Sequence, residues 1–185
     1  MSINAEPFLT VEDLDLMPDD GNRYELIGGE LQVSKTPGMT HQTTSGRIYF
    51  STESFLRQNP IGVVVATPGV IFSNIDAVIP DLVFMATGTV GETVQADRIC
   101  GAPDLAIEIL SPGAENARRD RVAKRYLYAK FGVMEYWVVD PVARQIEIYR
   151  LDGPTLMLSA TLSENEEVTS ALLPGYNCRI GDFFV

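Results

Sequence analysis

The sequence predicts a mixed α/β or α+β fold, in which a β-sheet is flanked by helices. Three observations support this prediction: a hairpin pattern near each end of the chain, short β-branched runs bounded by Pro, Gly or Asn, and two longer stretches of helix-forming residues. The order of hairpin, helix, several strands, helix and hairpin is typical of sheets covered by helices.

The predicted elements follow from local patterns. Gly28 and Gly29 form a two-residue loop that permits positive φ, so residues 24–27 and 30–33 are expected to pair as an N-terminal hairpin. A C-terminal hairpin is expected from 135–139 and 145–150. The remaining predicted strands are 63–66, 70–72, 81–85 and 104–110, with edge strands within 155–185. The predicted helices are 10–17, 40–57 and 115–131, the last ending at Gly132.

Length and composition indicate one domain spanning residues 1–185. The chain is 45% hydrophobic and 21% charged, with no repeat and no long linker. This composition excludes disordered, collagen-like and coiled-coil proteins. A chain of this size can bury a sizeable core without disulfides.

A few residue types limit which metal sites and which cellular compartment are compatible with the sequence. Cys100 and Cys178 form no metal-binding motif, which indicates a reducing compartment. The single histidine, His41, excludes a His-based zinc site, so a metal would be held by oxygen ligands, as Mg²⁺, Mn²⁺ or Ca²⁺ are. The first 16 residues are acidic where a signal peptide is basic, and no apolar run is long enough to span a membrane. We expect a soluble cytoplasmic protein without membrane partners.

The charge distribution is uneven. The net charge of −11 argues against a nonspecific nucleic-acid coat. Six of the 14 basic residues nevertheless fall between positions 118 and 130. Arg118, Arg121 and Arg125 are spaced i, i+3 and i+7, so they form one helical stripe that could contact a phosphate backbone. A solvated helix face is the alternative interpretation of this stripe.

Acidic residues at predicted strands are the strongest chemical signal. Asp104 and Glu108 are about 13 Å apart along one strand, too far to share an ion. Asp81 and Glu108 lie on different strands, and their carboxylates can reach one cation if those strands are neighbours. An acid such as Glu108 within an apolar strand is costly unless it is paired or binds a metal. Asp104 is expected to cap its strand end instead.

A lysine near such carboxylates would assist phosphodiester hydrolysis by orienting water and offsetting phosphate charge. Leu110 occupies the strand position on the same face as Glu108. Lys124, at the border of the apolar arc of the predicted helix 115–131, can supply the ammonium from the helix. Two structural interpretations remain open for Lys124: a side chain that snorkels to solvent, or an i, i+4 pair with Asp120.

Several ordered motifs extend over nearly the whole chain and resemble those of the Uma-two family of restriction endonucleases. They are Tyr24–Leu31, His41–Gln42, Pro80–Val83, Gly101–Pro112, Lys124–Arg125 with Tyr128, Gly132–Val133 and Glu135–Pro141. That family is similar to the PD-(D/E)xK nuclease superfamily, whose fold is a mixed sheet flanked by helices. The resemblance implies that Asp81 and Glu108 are metal ligands and that Lys124 is a catalytic lysine relocated to a helix. It also implies an additional acidic ligand, Glu25 in preference to Glu30, whereas Leu110 departs from the superfamily pattern.

The leading hypothesis is therefore a Mg²⁺- or Mn²⁺-dependent DNA endonuclease with Asp81, Glu108 and Lys124 at its centre. A catalytically inactive nuclease-fold protein that binds nucleic acid or protein is the alternative, and it predicts a Lys124 turned to solvent. A glycosidase with the same two acids is disfavoured because one tryptophan provides few sugar platforms. Cleavage of both DNA strands would suit a homodimer, with residues 135–150 supplying an edge. His41 is expected to cap, pack or hydrogen-bond at a helix start, and a catalytic role is the alternative.

Overall fold

The computed structural model describes residues 8–185, apart from the side chain of residue 115. Residues 1–7 lie outside this range, and they include part of the acidic segment on which the prediction about a signal peptide rests. Within the described residues, no helix is long and apolar enough to cross a membrane.

The central element is a mixed sheet of six strands in the order β12-β11-β10-β9-β6-β3. Strands β9 and β10 are parallel, and the other neighbours are antiparallel. The strand bounds are β3 Gly62–Ala66, β6 Leu82–Ala86, β9 Leu105–Ile109, β10 Glu135–Asp140, β11 Gln145–Asp152 and β12 Thr155–Ser163.

A second six-stranded sheet has the order β2-β1-β5-β4-β8-β7, and a separate hairpin pairs β13 with β14. The strand bounds are β1 Arg23–Ile27, β2 Glu30–Ser34, β4 Val70–Ser73, β5 Asp76–Val78, β7 Val94–Gln95, β8 Arg98–Ile99, β13 Glu167–Ser170 and β14 Leu173–Arg179. The sequence patterns did not predict β5, β7 or β8, because runs of two or three residues carry no measurable periodicity.

The helices flank the sheets, as the predicted fold class requires. Their bounds are α1 Val11–Leu14, α2 Met39–Gln58, α3 Thr87–Thr93, α4 Ala114–Arg118 and α5 Arg125–Phe131, with a π-helical segment Arg119–Lys124 between α4 and α5 and a 3₁₀ turn Ile180–Phe183. The prediction of one regular α-helix over 115–131 was wrong in this respect, because six residues of it are π-helical. Helix α3, rich in Gly and Thr, was not predicted.

Both predicted hairpins are confirmed. Gly28 and Gly29 adopt φ of 63° and 77°, and Leu26 pairs with Leu31 across the turn. Positive φ at both loop positions matches the twist of the flanking strands, which fixes the register of β1 and β2. This register places Glu25 on β1 as a fully buried side chain.

The core has two parts, one on each face of the central sheet. Leu105, Ile107 and Ile109 point to the cluster beneath α2. Ala106 and Leu110 point to the cluster that contains Leu127 and Tyr128 of α5. Because strand side chains alternate, Glu108 faces the α5 side with Ala106 and Leu110. This alternation positions the acid opposite the π-helical segment.

Gly62, at the start of edge strand β3, is expected to tolerate no side chain. A Cβ there would lie against the Met85 carbonyl oxygen and the Phe84 ring, so Gly62→Ala should lower the free energy of unfolding by about 2 kcal/mol. Gly46, exposed in the middle of α2, has open space around it. Gly46→Ala should therefore raise that free energy by about 0.5–1 kcal/mol. Urea denaturation of both variants checks this; equal shifts would contradict the packing at Gly62.

Candidate functional site

Asp81 and Glu108 lie next to each other on neighbouring strands. Strands β6 and β9 pair antiparallel with Leu82 opposite Ile107, so the next position of the same register places Asp81 beside Glu108. The adjacency of these two strands was the geometric condition of the sequence analysis, and the structure meets it. Both side chains are almost fully buried, at 3% exposure each.

Asp81 is held by three donors. Arg23 Nη1 is 3.3 Å from Oδ1, while His41 Nε2 at 3.0 Å and the Ile109 backbone amide at 2.8 Å contact Oδ2. Burial alone would raise the pKa of Asp81, but the hydrogen bond and charge of His41, the Ile109 amide and the charge of Lys124 together bring the pKa below its ordinary value. Asp81 is therefore held as a carboxylate.

Lys124 lies between two carboxylates and is itself only 2% exposed. Its Nζ is 2.8 Å from Glu108 Oε1 and 2.9 Å from Glu25 Oε1. Glu108 Oε1 also accepts the Tyr128 hydroxyl at 2.7 Å, and Glu25 Oε1 accepts the Ile79 amide at 2.7 Å. The ammonium is thus held by Glu25 of β1 and Glu108 of β9. Each carboxylate also accepts a second hydrogen bond, which fixes its own position.

The π-helical segment explains why Lys124 is buried. An α-helix would place Lys124 at the border of the apolar arc, as the sequence analysis expected. The π segment has wider turns, with i→i+5 hydrogen bonds, and it turns both Asp120 and Lys124 into the protein. The border position was therefore wrong, as was the snorkelling alternative, because periodicity at 100° per residue cannot anticipate a π segment. Such segments often occur at functional sites.

Burial and the close charges shift the pKa values of Glu108 and Lys124. Burial, together with the neighbouring carboxylates, raises the pKa of Glu108 to about 8, although the charge of Lys124 opposes this shift. Burial disfavours the Lys124 ammonium, but the charges of Glu108 and Glu25 raise its pKa above the ordinary value. Lys124 therefore stays protonated at any physiological pH, while Glu108 is the group that titrates near neutrality.

This shift gives the cation-free protein a definite pH dependence. Because the pKa of Glu108 is raised on folding, the protonated form contributes stability below about pH 4.5 that is lost as pH rises towards 8. In EDTA, the urea midpoint of the wild type should fall between pH 6 and 9. Glu108→Gln cannot ionise and should show a flatter profile over that range. Parallel profiles for the two proteins would show that Glu108 has an ordinary pKa.

The charged groups of this cluster line one cleft of about 350 Å³. The cleft is strongly charged and carries both signs. Its acids are Glu25, Asp81, Glu108 and Asp120, and its basic residues are Arg23, Lys35, His41, Arg119 and Lys124. Because a single cleft joins the carboxylates to solvent, an ion or a substrate phosphate can approach them.

The metal-ligand set implied by the resemblance is only partly assembled. Among residues 8–185, no three His, Cys, Asp or Glu side chains converge closely enough to hold one ion. Glu25 contacts the ammonium of Lys124, so in this structure it acts as a partner of the lysine. Asp81 and Glu108 remain a pair of adjacent carboxylates. That pair fits Mg²⁺, which usually takes one or two carboxylates and completes its shell with water and phosphate oxygens.

The structure separates the predicted arginine stripe from this cleft. None of Arg118, Arg121 and Arg125 lines it. Arg121 contacts Asp140 and Glu147, and Arg125 lies over the ring of Tyr149. Nucleic-acid binding by this stripe stays a prediction.

Arg119 and Arg23, which the sequence analysis did not select, do line the cleft. The break in helical periodicity hid Arg119. Arg23 gave no signal beyond its place at the start of the predicted hairpin.

The structure also shows the contacts of the other residues that the sequence analysis singled out. Asp104 accepts the Ala86 backbone amide at 2.7 Å, as expected of a strand-end cap. Glu30 is exposed, whereas Glu25 is buried at the cluster. Leu110 packs in the apolar cluster with Leu127 and contributes no cation. His41 forms a hydrogen bond at the start of α2, which is one of its expected roles.

Mixed sheets flanked by helices place the chain in the α+β class. The family model described as "Putative restriction endonuclease" (Uma2) matches residues 11–181. The chain therefore belongs to the Uma2 family, as the motifs indicated.

The comparison with solved structures agrees with this fold. A crystal structure of a "putative nuclease belonging to DUF820" from Anabaena variabilis ATCC 29413 superimposes with a TM-score of 0.76 at 17% identity. The alignment covers 95% of this chain and 97% of that one. No curated protein sequence matches the chain significantly.

Proposed function

We propose that the protein is a divalent-metal-dependent DNA endonuclease whose centre is Asp81, Glu108 and Lys124. The observation that carries the proposal is the buried ammonium of Lys124, held 2.8 Å from Glu108 beside Asp81 in an accessible cleft. Membership of a restriction endonuclease family supports nucleic acid as the substrate class.

Asp81 and Glu108 would hold Mg²⁺ or Mn²⁺. When bound, the ion would lower the pKa of a coordinated water and stabilise negative charge on the phosphate. Asp81 is suited to this task because His41 and the Ile109 amide favour its ionised form. The raised pKa of Glu108 means that a proton must leave this carboxyl before it can act as an anionic ligand.

The remaining residues position the reacting groups. Lys124 donates from a fixed point to the attacking water or to a phosphate oxygen, where charge develops during displacement. Glu25 and Glu108 hold its ammonium, so the lysine needs no reorganisation during the reaction. The Tyr128 hydroxyl fixes Oε1 of Glu108. By analogy with the superfamily, the product carries a 5′-phosphate.

The alternative of an inactive nuclease-fold binding module is less well supported. That alternative predicted a Lys124 facing solvent, whereas the side chain is almost completely buried against carboxylates. Burying a lysine and two glutamates costs desolvation free energy. An enzyme that uses the cluster gains from this arrangement, and a module that only binds does not.

Supercoiled plasmid cleavage tests the proposal. The purified protein, with Mg²⁺ or Mn²⁺, is expected to convert supercoiled DNA to open-circular and linear forms, and EDTA should stop the reaction. If it acts as a homodimer, linear product should appear early, because both strands are cut in one encounter. No cleavage with either ion across pH 6–9 would overturn the proposed activity.

A further inference from the structure

The amino end of α2 opens into the same cleft with its first-turn amides unpaired. Helix α2 is 20 residues long and begins after Gly38, which provides no capping side chain. Within the described part of the chain, the backbone N–H groups of residues 39–41 donate to no acceptor. Unpaired amides and the partial positive charge of a helix amino end favour an anion.

A buried nitrogen in this first turn gives independent support. His41 is 7% exposed and lines the cleft, with its Nε2 engaged by Asp81. Its Nδ1 is buried and has no hydrogen-bond partner within residues 8–185. Buried polar atoms nearly always have partners. In the imidazolium form Nδ1 carries a proton of its own, so this nitrogen is suited to donate to an anion bound at the amino end of α2.

Arg119 adds a cation to the same cleft. Its Nε donates to Asp120 Oδ1 at 3.1 Å, and the side chain is 19% exposed. This bond orients the planar guanidinium. Its two Nη atoms donate to no acceptor among residues 8–185. A guanidinium held in this way can bind a phosphate through two parallel hydrogen bonds.

We propose that a backbone phosphate of the nucleic-acid substrate binds between the amino end of α2 and Arg119. This subsite positions the strand beside the Asp81–Glu108 pair. The inference rests on the proposed function for the nature of the substrate, but its own evidence is the helix end, His41 and Arg119. The ligand class is a phosphodiester, and free phosphate is the competing source of the same chemistry.

Two substitutions at Gly38 test the helix end directly. Gly38 has φ of −74° and ψ of 173°, and a Cβ there meets open space, so both Asp and Asn can act as N-caps. Each should leave the thermal midpoint at or above that of the wild type. Only Asp adds negative charge, so Gly38→Asp should weaken binding about tenfold relative to Gly38→Asn. The readout is fluorescence anisotropy of a labelled duplex oligonucleotide in EDTA.

Arg119→Gln tests the guanidinium. Its expected effect is a decrease of about 0.9 in the slope of log Kd against log salt, the value for one lost phosphate contact. Arg57→Gln, exposed at the far end of α2 and paired with Glu53, is the matched control and should keep the wild-type slope. A merely structural role of Arg119 beside Asp120 would change the thermal midpoint but not the slope.

The outcomes separate this inference from the proposed function. Duplex binding by both Gly38→Asp and Gly38→Asn that equals that of the wild type overturns the subsite, even if the wild type cleaves plasmid. No duplex binding by the wild type, or displacement of the duplex by equimolar inorganic phosphate, also overturns it. A binding difference between the Gly38 variants without cleavage under any metal supports the subsite and overturns only the endonuclease.

Discussion

Replacing Lys124 with methionine is expected to lower the free energy of unfolding by about 3 kcal/mol and to abolish plasmid cleavage. The substitution removes an ammonium that lies within 2.9 Å of both Glu25 and Glu108. It leaves two buried acids to be neutralised by proton uptake or exposed by local opening. Urea denaturation at pH 8 measures the loss of stability, because proton uptake by Glu108 is most costly at high pH.

Lys130→Met is the matched control for this experiment. Lys130 lies on α5, and its side chain is 47% exposed. Its Nζ pairs with Asp76, which keeps the Gly28 amide and the Ser73 hydroxyl as donors, and it lies 4.7 Å from the centre of the Phe131 ring. Its loss should cost less than about 1 kcal/mol. Adding Glu108→Gln to Lys124→Met should recover part of the lost stability. A Lys124→Met protein as stable as the wild type would contradict the charge cluster.

Asp81→Asn and Glu108→Gln are each expected to reduce the plasmid cleavage rate by on the order of 10²–10³-fold, equivalent to several kcal/mol of transition-state stabilisation. Both changes keep side-chain volume but remove the negative charge that a divalent cation requires. Initial rates in Mn²⁺ at pH 8, with circular dichroism to verify folding, give the measurement.

Asp104→Asn is the control for these two variants. Asp104 immediately precedes β9, far from Glu108, and its Oδ2 accepts the Ala86 amide. An asparagine oxygen can accept the same hydrogen bond, so the variant should cleave at nearly the wild-type rate. Equal rates for Asp104→Asn, Asp81→Asn and Glu108→Gln would place the chemistry elsewhere in the protein.

The sequence could predict those parts of the fold that local patterns determine. Gly28 and Gly29 fixed the first hairpin because both need positive φ, and the apolar run around Glu108 indicated a strand buried on both faces. Strands β5, β7 and β8 have two or three residues each. Strands β5 and β8 are joined to the sheet by pairing with the distant strands β1 and β4, and β7 pairs with β8 at the sheet edge. Such pairings have no local signature, which is why these elements were missed.

The candidate site was predictable only where a local sequence pattern marks a residue. A buried acid in an apolar strand is costly, so Glu108 stood out from sequence alone. The orientation of Lys124 and Arg119 depends on the π segment, which no periodic pattern revealed. Glu25 as a metal ligand stays a prediction, and its contact with Lys124 follows from the register of β1 and the turned-in lysine.

Mn²⁺ binding followed by electron paramagnetic resonance tests the central claim most directly, since free and bound Mn²⁺ give different signals. The wild type is expected to bind one ion in the Asp81–Glu108 cleft at pH 8, with affinity falling as Glu108 takes up its proton at lower pH. The double variant Asp81→Asn/Glu108→Gln should lose this binding. Retention of the ion by the double variant, or no binding by the wild type, would contradict a metal centre at this pair of carboxylates.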